Sequence, residues 1–159
     1  MKPILGVILT GLLIVSGVNG VAAAAAAEKQ KVVDHVNYYG AKAHAGALRN
    51  VQNHINAIGA ENLDLKVVLH GNGVSMLMYP DAVGSDGNKM KEGNATEEMQ
   101  ATIAGLKNQG IQFQICANTL EGRKIAKHDL YDFSEADVVP SGVAQLAILQ
   151  GQGYAYVKP

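Results

Sequence analysis

The sequence predicts an α/β fold, a three-layer αβα sandwich around a mainly parallel five-stranded sheet. Three observations carry that expectation. Short Val- and Ile-rich runs alternate with stretches whose apolar residues recur at helical spacing. Glycines stand where helix ends belong, at Gly59, Gly110 and Gly151. Strands that alternate with helices pair in parallel and carry helices on both faces.

The elements follow in order. "KQKVVDHVN" (29–37) is a Val-centred first strand ending near His35. A helix from about His44 to Ile58 carries Ala47, Leu48, Val51, Ile55 and Ile58 on one stripe. "LDLKVVLHG" (63–71) is a second strand ending near His70, and "VSMLMYP" makes a helical turn or two before Pro80 stops it. "DAVGSDGNKMKEGN" (81–94) holds three glycines and little that suits a core, so a mobile surface loop is expected. Asn94 or Thr96 caps the next helix, Glu97 and Glu98 favour its positive end, and Met99, Ile103 and Leu106 form its buried stripe. "IQFQICA" (111–117) is a third strand whose alternation indicates one thinly covered face. A short helix is expected over 120–126, a brief strand in "ADVVPSG", a helix opened by Pro140 or Ser141, and a last strand in "YAYVK". No internal repeat is visible.

The first 27 residues have the order of a secretory signal: Lys2, the apolar run Ile4 to Val15, then "SGVNGVAAAAAA". Cleavage is expected near 24–27, leaving one α/β domain over 28–159 in the periplasm with no membrane attachment. A retained anchor is the competing reading, but Gly6, Gly11, Gly17, Asn19 and Gly20 dilute the run. The apolar fraction of 48% against 17% charged suits a packed domain. A net charge of −1, no Trp and only two Phe give no case for nucleic acid. The single cysteine, Cys116, can close no internal disulfide.

In a parallel sheet the loops at the strands' carboxyl ends share one rim, where ligands bind. His35 closes "KVVDH", His70 closes "KVVLH" and Cys116 closes "IQFQIC", so all three converge if their strands are neighbours. Cys116 precedes a helix, whose N-terminal amides favour a thiolate, and Arg123 in that helix adds positive potential. The competing reading is a buried, inert cysteine and two satisfied strand-end histidines. The neighbouring positions Asn37, Gly71, Asn118, Thr119 and Ser141 are the expected binding residues; a helix-capping role suffices for Ser141. Imidazole and thiolate together suit zinc or copper, yet no H-x-x-x-H or C-x-x-C spacing supports a metal, and none is assigned. "HGNGVSM" lacks a full dinucleotide or phosphate-loop pattern. No cofactor is expected.

"QICANTLEGRKI" resembles the segment around the sulfur-carrying cysteine of DsrE/DsrF-like proteins. "KVVDHVN", "ALRNVQNHINAIG", "LKVVLHGNGV" and "VVPSGVAQLAILQGQGYAYVKP" resemble, in the same order, the exported branch of that family. The resemblance implies a YchN-like fold that assembles as a trimer or hexamer. It also implies a sulfur carrier, sulfurtransferase-like rather than a turnover enzyme, with Cys116 accepting sulfane sulfur as a persulfide. His35 and His70 would then be pocket residues, and the partners a sulfur donor and acceptor, protein or small compound. The alternatives are an oligomeric binding module with an inert cysteine, or a metal-binding protein using His35, His70 and Cys116.

Overall fold

A computed structural model describes residues 28–159. The expected export segment, 1–27, lies outside the described residues. Among the described residues no helix is long and apolar enough to cross a membrane.

Five strands, β1 (Gln30–Val36), β2 (Leu63–Leu69), β3 (Gln112–Cys116), β4 (Val138–Val139) and β5 (Ala155–Val157), pair in parallel throughout. Their order is β4-β3-β2-β1-β5. The helices are α1 (Ala41–Ile58), α2 (Glu97–Asn108), α3 (Ala117–Arg123) and α4 (Gly142–Gly151). From β1 to β4 the chain steps steadily across the sheet, so right-handed crossovers keep α1, α2 and α3 on one face. The β4-to-β5 connection returns past β3, β2 and β1, and the same handedness puts α4 on the other face, where it stands alone among the described residues.

The two faces hold two cores of unequal size. On the α1/α2 face, Val32, Val36, Leu65, Val67, Leu69, Phe113 and Ile115 meet Leu48, Val51, Ile55, Ile103 and Leu106. On the α4 face, Val33 and Val68 meet Leu146, Leu149 and Tyr154. Strand alternation therefore sends His35, His70 and Cys116 to the α4 side. Two glycines permit the close approaches this needs. A Cβ at Gly73 would lie 2.0 Å from Val36 O, where the turn after β2 crosses the end of β1. A Cβ at Gly142 would lie 2.7 Å from His70 Cβ and 3.3 Å from Cys116 Cβ, where α4 begins.

The segment 81–94 differs from its sequence expectation. Ala82, Asn88, Met90 and Asn94 are buried, and Ala82 and Met90 join the larger core. The cause is Asp129, only 1% exposed, whose carboxylate accepts from Ser85 Oγ (2.7 Å), Asn88 Nδ2 (3.4 Å) and the Ala126 N–H (3.0 Å). Helix α3 also starts earlier than expected, directly after Cys116, and ends where Lys124 turns left-handed (φ 54°). The turn after β2 is a 3-10 segment, Gly71–Met76, with its last four residues buried.

Candidate functional site

The site lies where β1, β2, β3 and β5 end under the first turn of α4. The β2–β3 register pairs Leu69 with Ile115, so His70 and Cys116 occupy the next positions along two adjacent strands. Gly142 sits against both, and Ser141 ahead of it caps α4 by accepting from the Ala144 N–H. Cys116 is 5% exposed and unpaired.

The two histidines meet directly. His35 Nε2 and His70 Nε2 are 2.7 Å apart, with the rings stacked at 4.7 Å between centroids. His35 Nδ1 is 2.7 Å from the Tyr156 hydroxyl on β5. One proton lies between the two Nε2 atoms, so one ring donates and the other accepts. That separation is shorter than the roughly 3.3 Å between two imidazole nitrogens on one tetrahedral zinc. Among the described residues, no group of three or more His, Cys, Asp or Glu side chains is arranged to hold a metal ion.

Burial, then the nearby Lys158 cation, then His70 hold His35 below the usual imidazole range, at about 4. Burial and Lys158 lower His70 as well. Both rings are therefore neutral at physiological pH. On the opposite face of β1, burial raises the Asp34 carboxyl to about 6.

The remaining sequence candidates form the rim. Lys158 Nζ donates to Asn37 Oδ1 (2.5 Å), and the Gly71 N–H donates to Thr119 Oγ1 (2.8 Å). Asn118 is exposed, and its N–H reaches Pro140 O at 3.4 Å. Arg123 stands at the far end of α3, where Nη1 donates to the Tyr39 hydroxyl (3.0 Å) and Met90 Sδ (3.5 Å). It secures the loop beside Gly71, and no hydrogen bond joins it to Cys116. Sequence reasoning missed Tyr156, Lys158 and Gly142. The first two lie in the readable strand "YAYVK", but their place depends on β5 pairing with β1, which periodicity does not reveal.

A five-stranded parallel sheet with a thiol and an imidazole pair on its carboxyl-end rim defines the chain as an α/β protein. The chain belongs to the DsrE/DsrF-like family, whose model matches residues 21–159. It is similar in structure to MTH1491, a protein of unknown function from Methanobacterium thermoautotrophicum. There the TM-score is 0.64 at 25% identity, over 82% of this chain and 100% of that one. It also shares its fold with the ychN protein of E. coli, with TM-score 0.56 at 22% identity over 81% and 97% of the two chains. No curated protein matches the chain significantly.

Two outcomes test this geometry. Gly142→Ala forces a methyl against His70 and Cys116, so stability is expected to drop by about 1–3 kcal/mol and Cys116 to label faster as α4 lifts. Unchanged urea midpoint and labelling rate would contradict that packing. The second concerns pH. His35 is depressed on folding, so its stabilisation is complete above about 6.5 and is lost as pH falls towards about 4. Asp34 is raised, so its contribution is present below 3.8 and is lost as pH rises through about 6. The two oppose each other between those limits. Asp34→Asn is expected to gain about 2–3 kcal/mol at neutral pH and to lose stability more steeply than wild type on acidification. Urea midpoints across that range read both effects, and a variant no more stable at neutral pH contradicts the assignment.

Proposed function

We propose that this protein is an exported sulfur carrier that holds sulfane sulfur as a persulfide on Cys116. One observation carries the reading: the chain's sole cysteine ends β3 on the rim, beside His70 and under Gly142. Membership of the DsrE/DsrF-like family supports it, since that family's better-known cytoplasmic members pass sulfur as a cysteine persulfide. In loading, the Cys116 thiolate attacks the sulfane sulfur of a donor persulfide. A new Sγ–S bond forms, the donor's S–S bond breaks, and its electron pair leaves with the donor as a thiolate. An acceptor thiolate reverses the sequence at the outer sulfur. Solitude suits this cycle, because a neighbouring thiol would discharge the persulfide as a disulfide. The periplasm is the proposed compartment, on the strength of the signal-like order of 1–27.

The carrier is further proposed to assemble with copies of itself through α4. Val143 (65% exposed) and Ile148 (52%) stand with exposed Ala144 and Ala147 on the side of α4 turned from the sheet. A ten-residue helix that is apolar on both sides suits burial between two layers. A second reading, a binding module with an inert thiol, is favoured by the low exposure of Cys116.

Intact mass after incubation with glutathione persulfide decides between the readings. Wild type is expected to gain one sulfur atom and Cys116→Ala none. No gain in wild type removes the carrier reading and leaves the binding module. For assembly, light scattering is expected to give a multimer for wild type and a smaller species for the folded double variant Val143→Glu, Ile148→Glu. A monomeric wild type rejects the interface.

A further inference from the structure

The histidine pair has a feature that a binding pocket does not require: it is one segment of a continuous hydrogen-bonded chain. Tyr156 Oη, His35 Nδ1, His35 Nε2 and His70 Nε2 are joined by two contacts of 2.7 Å each. One end, Tyr156, is 44% exposed, and the other, His70, is half-buried and shares the Gly142 contact with buried Cys116.

Two proton arrangements satisfy every atom of this chain. In one, His70 Nε2–H donates to His35 Nε2, His35 Nδ1–H donates to the Tyr156 oxygen, and His70 Nδ1 is a free base. In the other, Tyr156 O–H donates to His35 Nδ1, His35 Nε2–H donates to His70 Nε2, and His70 Nδ1 carries a proton. Moving each shared proton across its bond, while His70 Nδ1 gains a proton and Tyr156 loses its original hydroxyl proton, converts the first into the second.

We propose that His70, His35 and Tyr156 form a proton relay that carries the Cys116 thiol proton to solvent when the thiolate is needed, a role that rests on the carrier reading. His70 Nδ1 takes the proton from Sγ, leaving the electron pair on sulfur. His70 passes its Nε2 proton to His35 Nε2, and His35 passes its Nδ1 proton to the Tyr156 oxygen. The former hydroxyl proton of Tyr156 goes to water. One proton enters the relay and one leaves, and both rings stay neutral throughout. The reverse shift returns a proton when discharge regenerates the thiol. No hydrogen bond joins Sγ to His70 in this structure; such contacts are often long before substrate binds and tighten on reaction.

The surroundings favour exchange between neutral rings over storage of an imidazolium. Lys158, just past β5, opposes positive charge on either histidine, and no acidic side chain is hydrogen-bonded to the pair. Asp34, the carboxyl nearest in sequence, projects from β1 to the other face. Gly142 and Ser141, the α4 residues packed here, bring no titratable side chain.

Labelling of Cys116 by iodoacetamide tests the relay without needing a persulfide, so its failure is distinct from failure of the carrier reading. At neutral pH, His70→Gly is expected to label about 100-fold more slowly than wild type, and added imidazole to restore most of the rate. Tyr156→Phe, at an exposed position where misfolding is not expected, should label about fivefold more slowly with an unchanged urea midpoint. A wild-type rate in either variant overturns the relay. A slow His70→Gly that imidazole does not rescue also overturns it, since that marks a packing role.

Discussion

The site depends on one topological constraint: α4 has to cross from the β4 edge of the sheet to the β5 edge, and among the described residues it is the only helix on that face. A helix is roughly 10 Å wide, whereas the five strands span about 19 Å between edge axes. Three helices can cover such a sheet, as α1, α2 and α3 do opposite. One cannot, so the smaller core is confined to Val33, Val68, Leu146, Leu149 and Tyr154. The carboxyl ends of β1, β2 and β3 on this side are left to polar and reactive groups. Because α4 begins just past β4, beside β3, its first residue must pass over Cys116 and His70. Only a glycine fits there, and Gly142 stands at that point. A thiol under a helix start thus follows from the strand order, before any requirement of chemistry.

The same constraint fixes the electrostatics. Once β5 pairs with β1, the equal spacing of parallel strands sets Tyr156 against His35, Lys158 against Asn37 and the Pro159 carbonyl against the Tyr38 hydroxyl. The C-terminal segment thereby supplies the hydroxyl that holds one imidazole and a cation that adds to burial in keeping both imidazoles neutral. Asp34 sits on the same strand, but alternation sends its carboxyl into the opposite, better-covered layer, where burial raises it to about 6. Two adjacent residues of one strand are therefore shifted in opposite directions, each towards its neutral form. Burial without a compensating partner does this to any ionisable group.

This also explains what the sequence made legible. Strands and helices came through because their periods are local: the stripe Leu48, Val51, Ile55 needs only its own turn. The convergence of His35, His70 and Cys116 was legible only on the condition that their strands are neighbours, which the order β3-β2-β1 meets. Strand order is not a local property, and so Tyr156 and Lys158 were invisible as site residues although their strand was plain. The segment 81–94 was misread for a related reason. Its glycines and polar residues read as a free loop, yet Asp129, more than thirty residues on, supplies the acceptors that fold it down and bury Met90. Arg123 has the same history. Its charge suggested an influence on the cysteine, but α3 starts at the thiol, and a seven-residue helix carries Arg123 roughly 9 Å along its axis to Tyr39 and Met90.

A thiol buried to this extent is shielded from oxidants, and the proposed carrier role would require that it also be exposed to a donor and an acceptor. The covering elements differ in how readily they yield. The sheet beneath Cys116 is held by paired strands and the larger core, and moving it would disrupt the fold. The start of α4 is held by a single side-chain cap from Ser141 and by a core of few residues. Local opening follows the weakest packing, so access to Cys116 runs through the first turn of α4. The apolar outer face of that helix would then tie assembly to access. In the proposed assembly a neighbouring copy bearing on Val143 and Ile148 would hold the helix down, and a partner competing for the same face would release it.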